Sequence, residues 1–177
     1  MDYRRSNTKG GTFFFTVNLA DRSSSILTDN VQLLRDSVSK VRANHHFTIV
    51  AMVVLPEHLH TIWTLPIGDS NYPLRWSLIK SGFSRALSKS ENINSSRKQK
   101  RERGIWQRRY WEHQIRNAED LSRHIDYIHI TPVKHGYADT AVNWRYSSIH
   151  RYIRQGVLPY NWSVDLRGDH SVYGEPG

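Results

Sequence analysis

The chain has 177 residues, a formal net charge of +9, a pI near 10.0, and 20 aromatic residues made up of 6 Trp, 9 Tyr and 5 Phe. A single domain of this length buries roughly two-thirds of its unfolded surface, so it folds without a disulfide or metal staple. The absence of cysteine excludes disulfides, iron–sulfur clusters and thiolate zinc sites, which leaves His, carboxylate or neutral oxygen for any metal. The longest apolar stretch, Ile49 to Pro56, falls far short of the roughly 20 residues a membrane-spanning helix needs, and no apolar core follows Met1 to Ser6. A soluble intracellular protein is expected, and positive charge combined with stacking surface favours a nucleic-acid partner.

Thr12 to Leu19 alternates, with Phe13, Phe15, Val17 and Leu19 on one face and Thr12, Phe14, Thr16 and Asn18 on the other, which predicts a strand after the Gly10-Gly11 break. Thr28 or Asp29 then caps a helix whose apolar positions Val31, Leu34, Val38 and Val41 step by three and four, ending near Asn44. Thr48 to Leu55 is continuously apolar and rich in β-branched residues, as a central strand covered on both sides would be. Pro56-Glu57 turns the chain into a paired strand, His58 to Leu65. After a turn over Pro66 to Pro73, Trp76, Ile79, Phe83 and Ala86 or Leu87 mark a second amphipathic helix with basic residues Arg75, Lys80, Arg85 and Lys89.

Ser90 to Gly104 breaks the periodicity and contains five basic residues in the seven from Arg97 to Arg103, which predicts a mobile charged loop. Ile105 to Ile115 reads as a fourth strand bearing Trp106, Arg108, Arg109, Tyr110 and Trp111. Asn117 caps a third helix with Glu119 and Asp120 in its first turn, and Pro132 is expected to end it. The order β-α-β-β-α-β followed by a helix predicts an α+β, ferredoxin-like (RRM-like) fold, an antiparallel sheet with helices on one face and the other face open for a ligand. Residues 1–132 would form the main domain. Residues 133–177, with little period before a Gly-rich end, would form an irregular C-terminal extension packed on it.

Three patterns carry chemistry. In a strand, His58 and His60 project from one face while Leu59, Trp63 and Leu65 project into the helix-covered core, so two imidazoles converge. That spacing suits two nitrogen ligands on a divalent ion, or equally two solvent-facing histidines on an open sheet; Glu57 beside them reads as a turn carboxylate. On the third helix, Leu121, Ile125 and Ile128 form the expected buried stripe, whereas Asp120, His124, Tyr127 and Thr131 share a neighbouring polar stripe, which points Tyr127 away from the core centre. A tyrosine so placed either attacks a phosphodiester, forming a phosphotyrosine that conserves bond energy, or packs at a core margin with its hydroxyl wet. Basic residues flank these elements: Arg4, Arg5 and Lys9; Arg97, Lys98, Lys100, Arg101 and Arg103 leading into Trp106, Arg108 and Arg109; and Lys134, His135, Arg145 and Arg151. They suit phosphate contacts and base stacking, or simple solubility.

Taken together, these segments resemble the HUH single-strand DNA nucleases, specifically the REP-associated tyrosine transposases of bacteria. The resemblance rests on Gly10 to Leu19, Leu55 to Pro66 around His58-Leu59-His60, Ile105 to Asn117, His124-Ile125-Asp126-Tyr127-Ile128 and Pro132-Val133-Lys134-His135-Gly136. It extends to Trp144 to Tyr152 with Gly156, Pro159 and Trp162. It implies a metal-dependent single-strand DNA endonuclease and transesterase, with His58 and His60 as metal ligands and Tyr127 as nucleophile. The ion would be Mg²⁺ or Mn²⁺. The product would be a 5′-phosphotyrosine and a free 3′-hydroxyl able to rejoin strands, and the substrate single-stranded REP-type palindromes folded into hairpins. A cytoplasmic, nucleoid-associated protein is implied, monomeric by preference with a dimer as the alternative. The basic and aromatic residues Arg4, Arg5, Lys9, Arg97, Lys98, Lys100, Arg101, Arg103, Trp106, Arg108, Arg109, Lys134, His135 and Arg151 become the candidate DNA contacts.

One departure stands out. Similar proteins read Asn-Pro-Val-Lys where this chain has Thr131-Pro132-Val133-Lys134, and a third metal ligand can come from that first position. A Thr131 hydroxyl is a weaker ligand than an amide carbonyl, and His124, one turn before Tyr127, is a candidate substitute. The departure motivates an alternative, a hairpin-binding protein with weak or no turnover. A second alternative is an RNA-binding ferredoxin-like module reading bases on its sheet.

Overall fold

The computed structural model describes residues 6–89, 95–100, 103–165, 167 and 173–175. Its strands are β1 (Thr12–Asn18), β2 (Thr48–Val54), β3 (His58–Thr64) and β4 (Trp111–Gln114). Its helices are α1 (Ile26–Asp29), α2 (Val31–Asn44), α3 (Tyr72–Ala86), α4 (Ser95–Gln99), α5 (Ala118–Lys134) and α6 (Ile149–Arg154), with a 3₁₀ turn at Ala141–Asn143. The four strands form one antiparallel sheet in the order β2-β3-β1-β4, the split βαβ arrangement that the element order predicts.

The alternation in β1 sorts its side chains as expected. Phe13, Phe15 and Val17 join Leu59, Trp63 and Leu65 under α2 and α3, where Trp63 and Trp76 stack with ring centroids 4.2 Å apart. Phe14, Ala51, Val53 and Ile62 point the other way. That second face is not open: α5 lies across it, and Tyr127 and Ile128 complete its apolar cluster. The sheet is therefore sandwiched, with the tyrosine helix opposite α2 and α3.

Several local expectations are corrected. Neither Thr28 nor Asp29 caps the long helix; both lie in α1, and Asn30 separates α1 from α2 while its amide and side chain bond to the Ile26 carbonyl. β2 is an edge strand, but its free edge is covered: Val54 N–H donates to the Tyr146 carbonyl, Ser148 N–H to Met52, and Met52 N–H to Ser148 Oγ. Both of its faces are covered as well, Ile49, Met52 and Val54 on the α2 and α3 side and Ala51 and Val53 on the α5 side, which explains its uniformly apolar sequence. A bulge between Ile49 and Ala51 leaves carbonyls at Ile49 and Val50 that Arg151 and Tyr152 capture.

The fourth strand is shorter than the Ile105 to Ile115 run. Only Trp111–Gln114 pairs continuously with β1, and Trp106 makes a single bridge to Leu19 before its ring turns into the core against Phe83. Pro132 does not end α5. The helix continues to Lys134 and stops at Gly136, whose φ of 74° permits the left-handed residue of a Schellman cap. Gly136 N–H donates to the Val133 carbonyl and Tyr137 N–H to Pro132. The segment expected to be a mobile loop contains α4; residues 90–94 and 101–102 lie outside the described residues.

Candidate active site

The site forms where β3, the C-terminal half of α5 and the chain's end meet. The strand period places His58 and His60 on the α5 side, both fully buried, with ring centroids 4.9 Å apart. Each imidazole is held by its Nδ1. His58 Nδ1 donates to Glu57 Oε1 at 2.8 Å, and His60 Nδ1 lies 2.8 Å from Thr16 Oγ1, which in turn donates to the Tyr173 carbonyl. Both Nε2 atoms are thereby turned to the same point.

Glu175 Oε1 marks that point. It lies 2.8 Å from His60 Nε2, 3.3 Å from His58 Nε2 and 3.0 Å from His135 Nε2, while Lys134 Nζ donates to Glu175 Oε2 at 2.5 Å. Convergent imidazoles oriented through their outer nitrogens are the donor set of a divalent transition-metal or Mn²⁺-like ion, so these residues fit the implied metal. His58, His135 and Glu175 satisfy the distances of a shared ion, with His60 beside them.

Tyr127 faces this cluster. Its ring lies 5.2 Å from that of His60, Lys134 Nζ donates to its hydroxyl at 3.3 Å, and Tyr173 stacks on it at 3.8 Å with the planes 4° apart. Of the expected buried stripe only Ile128 is fully buried, so α5 is rotated from the expected orientation. The polar stripe of Asp120, His124, Tyr127 and Thr131 faces inward, and Leu121 and Ile125 are only partly buried. Tyr127, expected away from the core centre, is 3 % exposed.

Electrostatics follows from burial and these contacts. Burial, then the hydrogen bond and charge of Glu175, raises Tyr127 far above the ordinary phenol value, with the Thr131 hydroxyl acting the other way. Burial lowers His60 to about 4 against the Glu175 hydrogen bond. For His58, burial is outweighed by its two carboxylate partners and the pKa is raised. Burial pushes Glu57 up, but the His58 hydrogen bond and charge prevail and hold it at about 2. The carboxylate of Glu175 is likewise kept ionised, its burial overcome by the surrounding imidazoles.

The sequence-predicted residues divide clearly. His58, His60 and Tyr127 come together within one chain. Thr131 is fully buried and its hydroxyl donates to the Tyr127 carbonyl at 2.5 Å, whereas His135 Nε2 joins the cluster 3.0 Å from Glu175 Oε1. Lys134 and His135, expected as DNA contacts, are parts of the site itself. His124 does not substitute for Thr131 but belongs to a separate group, in which Asp120 accepts from His113 Nε2 at 2.8 Å and His124 stacks on His113.

Among the other proposed DNA contacts, Trp106 is 7 % exposed and packed in the core, so it cannot stack on a base. Arg103 donates to the Ser84, Leu87 and Ser88 carbonyls and fastens the end of α3. Arg151 is turned to the β2 bulge. Lys9, Lys98, Lys100, Arg108 and Arg109 are exposed, as phosphate contacts require, and Arg108 also reaches Ser96 Oγ at 3.1 Å. Arg4, Arg5 and Arg101 lie outside the described residues, and Arg97 is placed only as a position in α4.

Sequence reasoning missed Tyr173 and Glu175 altogether. The usable signal was Gly174, whose φ is 73° and whose place a side chain could not take, because a Cβ there would lie 2.3 Å from Trp111 Cγ. Such a glycine lets the chain end cross Trp111 closely enough for its neighbours to enter the site.

The chain is 45% identical over 165 residues to the REP-associated tyrosine transposase of Escherichia coli (strain K12), a match covering 93% of this chain and 92% of the relative. The chain belongs to the REP-associated tyrosine transposase family. It is 42% identical over 173 residues to a putative member from Haemophilus influenzae, covering 95% of this chain and 98% of that protein. A solved structure of a REP-associated tyrosine transposase bound to a REP hairpin is 44% identical and superposes with a TM-score of 0.85, covering 96% of this chain and 95% of the other. No family model matches the chain. Among the described residues no helix of this family member is long and apolar enough to cross a membrane.

Proposed function

We propose that this transposase-family protein binds REP-type hairpin DNA and cleaves its single strand through Tyr127 in a divalent-metal-dependent transesterification. One observation carries the reading: three imidazole Nε2 atoms and the Lys134 ammonium gather around one carboxylate beside the Tyr127 hydroxyl. His58, His60 and His135 would hold Mg²⁺ or Mn²⁺, with Glu175 as a further oxygen ligand. The ion, when bound, supplies Lewis-acid polarisation of the scissile phosphate.

The chain's own residues supply the rest. Lys134 lies close enough to stabilise the phenolate as the Tyr127 proton departs. The phenolate oxygen bonds to phosphorus, the bond from phosphorus to the 3′ oxygen breaks, and that oxygen takes a proton to become the free 3′-hydroxyl. Rejoining reverses the exchange: a 3′-hydroxyl attacks the phosphotyrosine, and Tyr127 regains its proton. Because every named group comes from one chain, a monomer suffices. This reading includes a cytoplasmic protein that associates with the nucleoid, where such DNA is found.

Wild-type protein and Tyr127→Phe, incubated with labelled single-stranded REP-type hairpin DNA and Mn²⁺ or Mg²⁺, test this on a denaturing gel. A covalent adduct and a 3′-hydroxyl fragment with wild type alone are expected. DNA bound by both proteins and cut by neither would overturn cleavage and leave the second reading, hairpin binding without turnover. The buried, Tyr173-stacked Tyr127 and its Glu175 contact favour that second reading in the arrangement seen. The RNA-binding reading has no comparable support, since the sheet face it requires is covered by α5.

A further inference from the structure

A second group of ligating side chains lies where β4 meets the first turns of α5, apart from the His58 cluster. His113 of β4 pairs directly with Phe14, so it shares the sheet face that α5 covers. Asp120 and His124, four residues apart, stand on the buried stripe of α5. The backbone of Asp120 is fixed by its N–H bond to the Asn117 side chain at 2.9 Å, and its carboxylate reaches both imidazoles. Oδ2 lies 2.8 Å from His113 Nε2 and Oδ1 lies 3.3 Å from His124 Nδ1. One ligand atom from each of the three residues falls within 4.8 Å of the other two, and the imidazoles are held almost parallel, 8° apart in plane and 4.6 Å between centroids.

A separate observation on His124 points to a cation. Its Nδ1 is 2.7 Å from the Asp120 backbone carbonyl, which can only accept, so Nδ1 carries the ring proton and Nε2 is a bare lone pair. The residue is 5 % exposed, and Nε2 has no hydrogen-bond partner among the described residues. Phe14 and Tyr173 flank the ring at 4.8 and 5.0 Å. Aromatic faces accept an N–H and offer nothing to a lone pair. An ion on Nδ1 moves the ring proton to Nε2 and replaces the orphaned lone pair with an N–H beside those rings. The approach is from the outer side, where His113 is partly exposed. The competing cation there is Arg116, whose Nε is 3.5 Å from Asp120 Oδ2 on a side chain that is otherwise exposed and free to swing outward.

We propose that His113, Asp120 and His124 form a second cation site that takes a Zn²⁺-class divalent ion and fastens β4 to the tyrosine helix. Two imidazole nitrogens and one carboxylate oxygen are donors that Zn²⁺ prefers and Mg²⁺ does not, and water completes the coordination on the outer side. Each imidazole keeps one proton, on the nitrogen away from the ion. The site uses none of the groups assigned to cleavage, and it needs no DNA.

Co²⁺ is the probe, since it occupies zinc sites and its visible absorption reports imidazole ligation. Metal-free His58→Ala/His60→Ala protein, in which the first cluster is removed, should still bind one Co²⁺ that Zn²⁺ displaces and excess Mg²⁺ does not. Adding His113→Gln keeps a donor for Asp120 but removes a ligand. Affinity should then fall about 100-fold or more, beyond the 10- to 100-fold that loss of an orienting partner costs. Should the double variant not fold, two Co²⁺ per wild-type chain against one per His113→Gln chain carries the same test. No Co²⁺ on the double variant, or one bound equally well after His113→Gln, overturns the second site and leaves the proposed function untouched. Co²⁺ bound by the double variant and lost with His113→Gln supports the second site whether or not the wild-type protein cleaves DNA.

Discussion

Acid should loosen the attachment of the tyrosine helix through one buried histidine. His129 of α5 is fully buried, and its Nε2 is in hydrogen-bond contact with Ser148 Oγ at 2.8 Å, the same oxygen that accepts from Met52 at the sheet edge. Burial, reinforced by the positive charge of Arg151 and by His150, depresses its pKa from 6.5 to about 4. The folded state therefore holds His129 neutral where the unfolded chain binds a proton. Stability from this group is present above pH 6.5 and is lost as pH falls toward 4. With those two values, the loss between pH 7 and pH 4 is about 3 kcal/mol, most of it below pH 6. His129→Gln keeps a hydrogen-bonding head without the titration. Urea denaturation at a series of pH values should give a wild-type stability that falls by about 3 kcal/mol more than the variant's across this window. Parallel curves for the two proteins would refute the reasoning.

Other expectations follow from the site and the corrected positions. Glu57→Gln removes the charge that orients His58 through Nδ1, so Mn²⁺ affinity measured by calorimetric titration should fall about 10- to 100-fold, and an unchanged affinity would exclude Glu57 as the orienting group. Trp106→Ala should cost about 3–5 kcal/mol in chemical denaturation, because its ring packs against Phe83 in the core; a stable variant that has lost DNA binding would restore it as a DNA contact. Gly136→Ala meets no neighbour within 4 Å, so its penalty should be backbone strain alone, about 1–2 kcal/mol by thermal or urea unfolding, and an unchanged stability would contradict the left-handed cap.

The architecture was legible wherever a single period decided it. Strand alternation sorted Phe13, Phe15 and Val17 from Phe14 and Thr16, and it placed His58 and His60 together, because a residue's face in a strand depends only on parity. In α5 periodicity identified two adjacent stripes but not which of them meets the sheet. Hydrophobicity favours Leu121, Ile125 and Ile128, yet of these only Ile128 is fully buried, together with His124, Tyr127 and Thr131 of the polar stripe. It can be buried because polar partners satisfy it: Asp120 beside His124 and Lys134 beside Tyr127 from α5 itself, and Glu175 from the far end of the chain. No local window around α5 contains Glu175, forty-eight positions after Tyr127.

The same reasoning explains why the basic residues were sorted poorly. A positive side chain reads identically in sequence whether it meets solvent, a carbonyl or a carboxylate. Lys134 is drawn inward by Glu175, forty-one positions later, and Arg103 and Arg151 are taken by carbonyls at a helix end and a β-bulge. His135 enters the site for a backbone reason. Gly136 ends the helix in a left-handed turn, and the residue before it lies next to the strand carrying His58, 5.2 Å from ring to ring. The candidate active site is thus assembled by three terminations: the Pro56-Glu57 turn that starts β3, the Schellman cap that stops α5, and the Gly174 crossing that delivers Glu175. The regular elements set the distances between these points, while a glycine or a turn residue at each one decides whether a functional side chain reaches the centre.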